Sequence, residues 1–387
     1  MDNIVKSYIF YNSPLKEKNG KIAFTLLLML LVGLAVKGWI TFGKEGILLT
    51  MWEWVPYAII GSILAYLVIT FIDRKRGIGF FHLVTILSVL LITAPVASIF
   101  NIESPIKLYA VGFNEEFFKI LPLLIFVIFI PNLIRTKKDG MVYGALAGMG
   151  FNIIEIASYI AISTIELPLM DVLYQQSTRF ALWGFGSHVI WSAFVGLGIG
   201  IAMQSNEKGW KKWRLPIAIF LITAIAHSSY DLGMVGVFLL ATAYLLGFLK
   251  GEAVTPDMII TTPGTSDNIV RNAMKFEHFS YNIVFIIIMI WQVIKTLKWE
   301  QALTVKELLK ESNDVVSESD KKLVENEGVL SMRKYKQYPK KTARKIVKYE
   351  NLLAMLKHSV VRDGKDIEDS EEVQVLRNEI KVLKLNQ

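Results

Sequence analysis

Long apolar stretches separated by short polar ones dominate the first three hundred residues. Runs near 22–42, 52–72, 80–100, 107–131, 140–163, 180–203, 214–231, 233–249 and 278–295 are each apolar over about the length of a membrane crossing. A helix rises 1.5 Å per residue, so about 20 apolar residues span a hydrocarbon core of roughly 30 Å. The pattern predicts an all-α polytopic membrane protein of about nine spans. Residues 1–296 form one membrane-embedded unit in this reading. Residues 297–387 contain no such run and are expected to form a polar, helical carboxyl-terminal tail.

Composition agrees: the chain of 387 residues is 53% hydrophobic and 20% charged, too apolar for a water-soluble domain of this length. The first apolar run is too long for a signal-peptide core and is read as a retained span. The absence of cysteine excludes disulfides and thiolate metal sites. Charge placement sets the expected topology. The loops "DRKRG" (73–77), "RTKKDG" (135–140) and "EKGWKKWR" (207–214) carry three, three and four basic residues. The alternate loops 43–51, 101–106 and 164–178 carry one among them, Lys44. Basic loops stay in the cytoplasm, which places the amino terminus there, in a multi-pass protein of the cell membrane. The side of the tail stays open: nine spans put it outside, whereas "RKYKQYPKKTARKIVK" (333–348), with eight basic residues and no acid, suits an anionic cytoplasmic leaflet. The net charge of +8 requires no nucleic-acid partner.

Against this background the ionisable residues inside the spans stand out, because a charge at the centre of a span costs roughly 2.5–3.5 kcal/mol on the insertion scale. "GFNEEFFKILP" (112–122) holds Glu115, Glu116 and Lys119; "GFNIIEIASY" (150–159) holds Glu155; "GFGSHVIWSAFVG" (184–196) holds His188; "AHSSYD" (226–231) holds His227 and Asp231. In the expected topology these four antiparallel spans place the groups at one depth, about 12 Å from their outer ends. Glu115 and Lys119 are i,i+4 and Glu116 and Lys119 i,i+3, so the three share a face. His227 and Asp231 are also i,i+4. Gly144 with Gly148, and Gly196 with Gly200, are small-xxx-small pairs that let helices approach closely. Phe151 reads as packing, Arg179 as a residue at the membrane interface, and Glu166 and "DNIVRN" (267–272) as loop positions.

Such a cluster admits more than one chemistry. Two histidines and a carboxylate can hold a divalent cation with one position left for water, a second carboxylate then acting as general base. Alternatively a carboxylate activates water unaided while histidines and Lys119 stabilise an oxyanion. A third reading is a proton or cation path through a transporter, which the lack of an inverted repeat weakens.

The four segments, read in order as EExxK, FxxxE, a histidine followed by small residues, and HxxxD, resemble the PrsW family of intramembrane proteases over about residues 105–235. These are relatives of the CAAX prenyl endopeptidases and of the bacteriocin-immunity group. The resemblance implies a membrane-embedded peptidase that depends on a divalent metal, expected to be zinc, with a single-span membrane protein as substrate, such as a membrane-anchored anti-sigma factor cut near the outer face. It implies Glu115, Glu116 and Lys119 as catalytic residues, with Asp231 orienting His227, and Glu155, His188 and His227 as metal ligands. Lys119 and Glu155 stand where the prenyl-processing branch carries arginine and histidine, which argues against that branch. A non-proteolytic relative remains the alternative. In the tail, Val373, Leu376, Ile380 and Leu383 of "EEVQVLRNEIKVLKLN" (371–386) have 3-4-3 spacing. Two heptads are too few for an independent coiled coil, so the stripe is expected to pack on the tail, bind a partner or self-associate.

Overall fold

The computed structural model describes residues 8–10, 13–44, 48–103, 110–166, 184–231 and 268–385. Eleven α-helices and no strand occur among them. The membrane-embedded helices are α1 (Lys18–Lys44), α2 (Leu48–Asp73), α3, α4 (Val111–Phe129), α5 (Lys137–Glu166), α6 (Ser187–Gln204), α7 (Gly209–Asp231) and α8 (Asn268–Leu308). Helix α3 is built from Gly79–Ser88, a π turn over Val89–Thr93, and Ala94–Glu103. Its irregularity has a local cause. Pro95 has no N–H for the carbonyl four residues back, and the indole Nε1 of Trp39 donates to that carbonyl, Leu91 O, at 3.0 Å.

Helices α1, α2, α3 and α5 are long and apolar enough to cross a membrane by length and composition alone. Helix α4 carries Glu115, Glu116 and Lys119 within its 19 residues, and these charges set it apart from a plain lipid-facing span. Many side chains of α1 and α2, among them Leu26, Met29, Ile60 and Leu67, are exposed, as expected where the solvent is hydrocarbon. Eight of the nine expected spans are therefore helices; 233–249 lies outside the described residues, as do Arg179 and the side chains of Asp231, Glu166 and residues 268–272.

The centre of the bundle is the antiparallel pair α5 and α6, joined by glycines. A Cβ placed on Gly140, Gly144 or Gly148 would lie 2.0 Å from Gly196 O, 2.2 Å from Ser192 O or 2.1 Å from His188 O. Only glycine permits such backbone contact, which confirms the close approach expected of Gly144, Gly148, Gly196 and Gly200 and extends it to Gly140. Gly112 does the same for α4 against α7, where a Cβ would meet Ala224 O at 2.6 Å.

The basic loops converge on one face of the bundle and are not merely solvated. Arg76 bonds Asp139 at 2.7 Å and Glu300 at 2.5 Å. Lys138 bonds Asp73 at 2.9 Å and Glu300 at 3.3 Å, and His82 Nε2 meets Asp73 at 3.0 Å. All six side chains are buried. Burial opposes charge on Arg76, but Asp139 and Glu300 outweigh it and hold the guanidinium well above its ordinary pKa. Burial likewise opposes charge on Glu300, but Arg76 and Lys138 hold its carboxyl below the ordinary range.

Glu300 belongs to α8, which continues without interruption for 41 residues, about 60 Å, out of the bundle and into the tail. The tail helices α9 (Glu318–Glu325), α10 (Lys340–Arg362) and α11 (Glu371–Leu385) fold back against the face of the basic loops. Lys348 Nζ donates to Gly77 O at 2.9 Å, Arg362 to Met203 O, and Lys75 pairs with Glu327 at 3.2 Å. The amino-terminal segment lies there too, with Asn132 Nδ2 donating to Tyr8 O at 2.6 Å and Lys16 facing Glu372 at 3.8 Å. The tail thus shares a face with the three basic loops, the point that loop charge alone left open. Val373, Leu376 and Ile380 are fully buried in the apolar core, so the heptad-like stripe packs within the tail. Within it, Arg333 bonds Glu350 at 3.2 Å and Lys384 bridges Asp320 and Glu350 at 2.7 and 3.1 Å.

Candidate active site

Helices α4, α5, α6 and α7 bring Glu115, Glu116, Lys119, Glu155, His188 and His227 together at the end of the bundle opposite the basic loops. The helical repeat puts Glu115, Glu116 and Lys119 on the inward face of α4, where all three are buried. Lys119 Nζ is the hub. It donates to Glu116 Oε1 at 2.9 Å and contacts His188 Nδ1 at 2.7 Å, lies 3.4 Å from Glu115 Oε2, and sits 4.4 Å above the Phe151 ring. Phe151 therefore does more than fill space: it backs the ammonium and packs against His188, with centroids 5.3 Å apart.

His188 lies in the first turn of α6, whereas the hydropathy pattern places it about eight residues into a span starting near 180. The reason is Gly184, at φ 91°, and the extended Gly186 that caps the helix. Both keep residues 184–186 out of the helix, and neither lowers the apolar average. The backbone carbonyl of His188 rests on Gly148, so the α5–α6 contact fixes its height. Its Nε2 meets the Glu155 carboxylate and its Nδ1 faces Lys119.

His227 is held differently. Its Nδ1 meets Glu116 Oε1 at 2.9 Å, and its Nε2 lies 3.6 Å from Glu115 Oε2. A histidine that gives one ring N–H to a carboxylate presents the other nitrogen as a lone pair. The sequence expects Asp231 to orient His227; the Asp231 side chain lies outside the described residues, and among those described Glu116 meets His227 Nδ1. Trp191, three residues after His188 and so on the same face, packs on His227 with centroids 4.4 Å apart.

Two asparagines not anticipated from the sequence extend the site. Asn101 Nδ2 donates to Glu115 Oε1 at 3.2 Å, and Asn114 Nδ2 donates to Asn101 Oδ1 at 3.1 Å. Asn114 immediately precedes the EExxK pattern and could have been noticed. Asn101 is at the end of a preceding span, and no spacing rule links it to Glu115.

The donor set suits a divalent cation. Ligand atoms of Glu115, His188 and His227 all lie within 4.8 Å of one another, two imidazoles and a carboxylate. The pattern of the sequence makes Glu155 the third ligand beside the histidines; Glu155 does meet His188 Nε2, and Glu115 brings a further carboxylate within reach of both histidines. Glu116 Oε2 is buried without a hydrogen-bond partner among the described residues. Leaving a buried carboxylate oxygen unsatisfied is costly, and such an atom is suited to receive a proton from water or substrate.

A family model for the PrsW family of intramembrane metalloproteases matches residues 51–250. The chain belongs to that family. The match spans α2 to α7 and so includes all four helices of the site. No curated protein and no solved structure matches the chain. As a PrsW-family member the protein is a membrane-embedded hydrolase, a peptidase that depends on a divalent metal. The buried glutamates and histidines are compatible with that chemistry.

Proposed function

We propose that the protein hydrolyses a peptide bond of a single-span membrane protein near the outer membrane face. Glu115, His188 and His227 hold the metal in this reading. The observation that carries it is the convergence of their donor atoms within 4.8 Å, beside the unsatisfied Glu116 Oε2. Two nitrogens and one carboxylate oxygen favour zinc among the common divalent ions. The chemistry a zinc ion supplies in such a site is Lewis acidity, polarising a peptide carbonyl and acidifying water.

The chain's own residues do the rest. Glu116 Oε2 takes the proton from the attacking water as its oxygen bonds to the carbonyl carbon, then delivers it to the amide nitrogen as the C–N bond breaks. Lys119 Nζ holds Glu116 Oε1 and keeps the carboxylate in place. His227 Nδ1 meets that same oxygen, so the base and a ligand orient each other. Asn101 fixes Glu115. Glu155 sits against His188 Nε2, a contact that needs a shared proton, and metal binding displaces such protons.

The basic loops, the amino terminus and the tail are cytoplasmic by the positive-inside tendency, in the cell membrane. The site then opens toward the outer half of the bilayer. A membrane-anchored anti-sigma factor is a substrate of the right class. The test is cleavage of a reconstituted single-span substrate by Glu116→Gln, His188→Ala and His227→Ala variants. Each is expected to lose at least about 10²-fold in rate while remaining in the membrane. Near-normal cleavage by all three would overturn the assignment.

A further inference from the structure

Away from the site, α2, α5, α6 and α8 enclose an apolar groove of about 400 Å³, within the range of pockets that hold small ligands. Its walls include Ile69, Val142, Ala145, Ala193, Met289 and Val293, and Lys138 lies at one end. Along α8 it extends from Ile286 to Ile294, about 12 Å. Exposed Val68, Ile290 and Ile294 form its rim, so it faces hydrocarbon. Lys138 places its closed end beside the charge network of the basic-loop face.

We infer that this groove binds one acyl chain of an anionic phospholipid from the leaflet on the basic-loop face, with the phosphate between Lys137 and Lys295. Three observations converge. The groove's one charged lining residue, Lys138, is held by Asp73 and Glu300, so little there holds water, and an unfilled apolar groove forfeits dispersion contacts. Lys137 and Lys295 are chain neighbours of the lining residues Lys138 and Ile294, and lie within electrostatic reach of each other. Neither has a carboxylate partner among the described residues, whereas Lys138 is neutralised by Asp73 and Glu300. Lys295 Nζ lies over the Trp291 ring at 5.1 Å, and two cations without a carboxylate partner, next in the chain to the lining residues Lys138 and Ile294, match a phosphate attached to a hydrocarbon chain. Zwitterionic lipid would fill the groove and offer a phosphate, but its own headgroup cation would leave the net charge of the two lysines uncompensated. A bound lipid would join α8, which carries the tail, to α5 and α6, which carry the site.

Native mass spectrometry of the full chain, delipidated and then offered equal phosphatidylglycerol and phosphatidylcholine, tests this. One phosphatidylglycerol is expected to be retained with at least a tenfold preference. The double variant Lys137→Gln/Lys295→Gln should lose the preference, and Ala193→Phe, which fills the groove, should lose retention of both lipids. Equal retention of the two lipids by the unaltered protein, or an unchanged preference in the lysine variant, overturns the assignment. The lysines are not buried, so their variant decides the matter even where Ala193→Phe fails to fold. Displacement of the retained lipid by an equimolar single-span peptide would assign the groove to a protein helix and also overturn it.

Discussion

Replacing Gly148 by alanine tests how the fold positions His188. The new Cβ would lie 2.1 Å from His188 O. Real Cβ atoms stay at least 3.0 Å from such neighbours, so the backbone of His188 must retreat by about 0.9 Å. Gly140 and Gly196 pin the other end of the same helix pair eight residues away, about 12 Å along the axis. The relief is therefore a tilt of about 4° that opens the His188 end. Metal–ligand distances tolerate about 0.2 Å, so this movement is large for a ligand. A loss of metal affinity of about 10- to 100-fold follows, or about 1.4–2.7 kcal/mol. Gly140→Ala supplies the control, since its clash is equally severe at 2.0 Å but lies at the far end. Both variants should lose about 1–3 kcal/mol of stability to overpacking; only Gly148→Ala should lose most of its metal affinity. Gly33→Ala, with nothing within 4 Å, should change neither. Competition against a chelator on purified protein measures the affinities. Equal affinity in the Gly148 and Gly140 variants would refute the positioning argument, provided that His188→Ala itself loses metal. If His188→Ala binds normally, the ligand assignment has failed instead.

Three further outcomes are expected. Glu115→Gln should lower metal affinity at least tenfold more than Glu155→Gln in the same competition assay; the reverse order would make Glu155 the third ligand. Glu300→Ala removes the shared acid from Arg76 and Lys138 and should cost about 3–5 kcal/mol, read as a lower unfolding temperature in detergent. Because the Glu300 pKa lies below its ordinary value of 4.5, its contribution is complete above that value and is lost as pH falls through the depressed one. Acidification through the range below pH 4.5 should therefore destabilise the parent protein more than Glu300→Gln. In the cysteine-free chain, single cysteines at Asn206 and Ser319 should react with an impermeant thiol reagent only after lysis, and one at Gly43 in intact cells; the opposite pattern would place the basic-loop face outside.

The site was legible in the sequence because membrane burial makes charge expensive. Glu116, Lys119, His188 and His227 could be singled out from single spans, and helical spacing correctly joined Glu115 and Glu116 to Lys119. Relations between helices were less accessible. Nothing in the spacing of Glu116 and His227, 111 positions apart, shows that they meet. The start of α6 was misplaced because glycines end a helix by their backbone freedom while leaving hydropathy high. Arg76 and Lys138 were read only as markers of topology, and Asp139 drew no reading. Their second role needs Glu300, and its position beneath them depends on how α8 packs. The apolar stripe of α11 was visible, but its partner became clear only from the fold.

The two charged layers share one frame, and this explains why the inner one is charged at all. Gly148 contacts His188 at the site end of α5, and a Cβ on Gly200 would lie 2.5 Å from Thr136 O at the other. Thr136 donates to Glu300 at 2.9 Å and receives a bond from Arg76 at 3.2 Å. A buried ion network is weak evidence for stability, since well-packed apolar residues of similar volume often serve as well. Its directional bonds do what apolar contacts between smooth membrane helices do poorly, which is to fix sliding and rotation. Between lipid-bathed helices the hydrophobic effect gives little preference for one register over another. Backbone contacts at glycine set the separation of α5 and α6. The hydrogen-bonded carboxylates of Asp73, Asp139 and Glu300 set the axial register of α2, α5 and α8. A site whose donors must converge within a few ångströms from four helices depends on both constraints. The glycine stripe and the inner charges are thus part of what holds Glu115, His188 and His227 in range of one another.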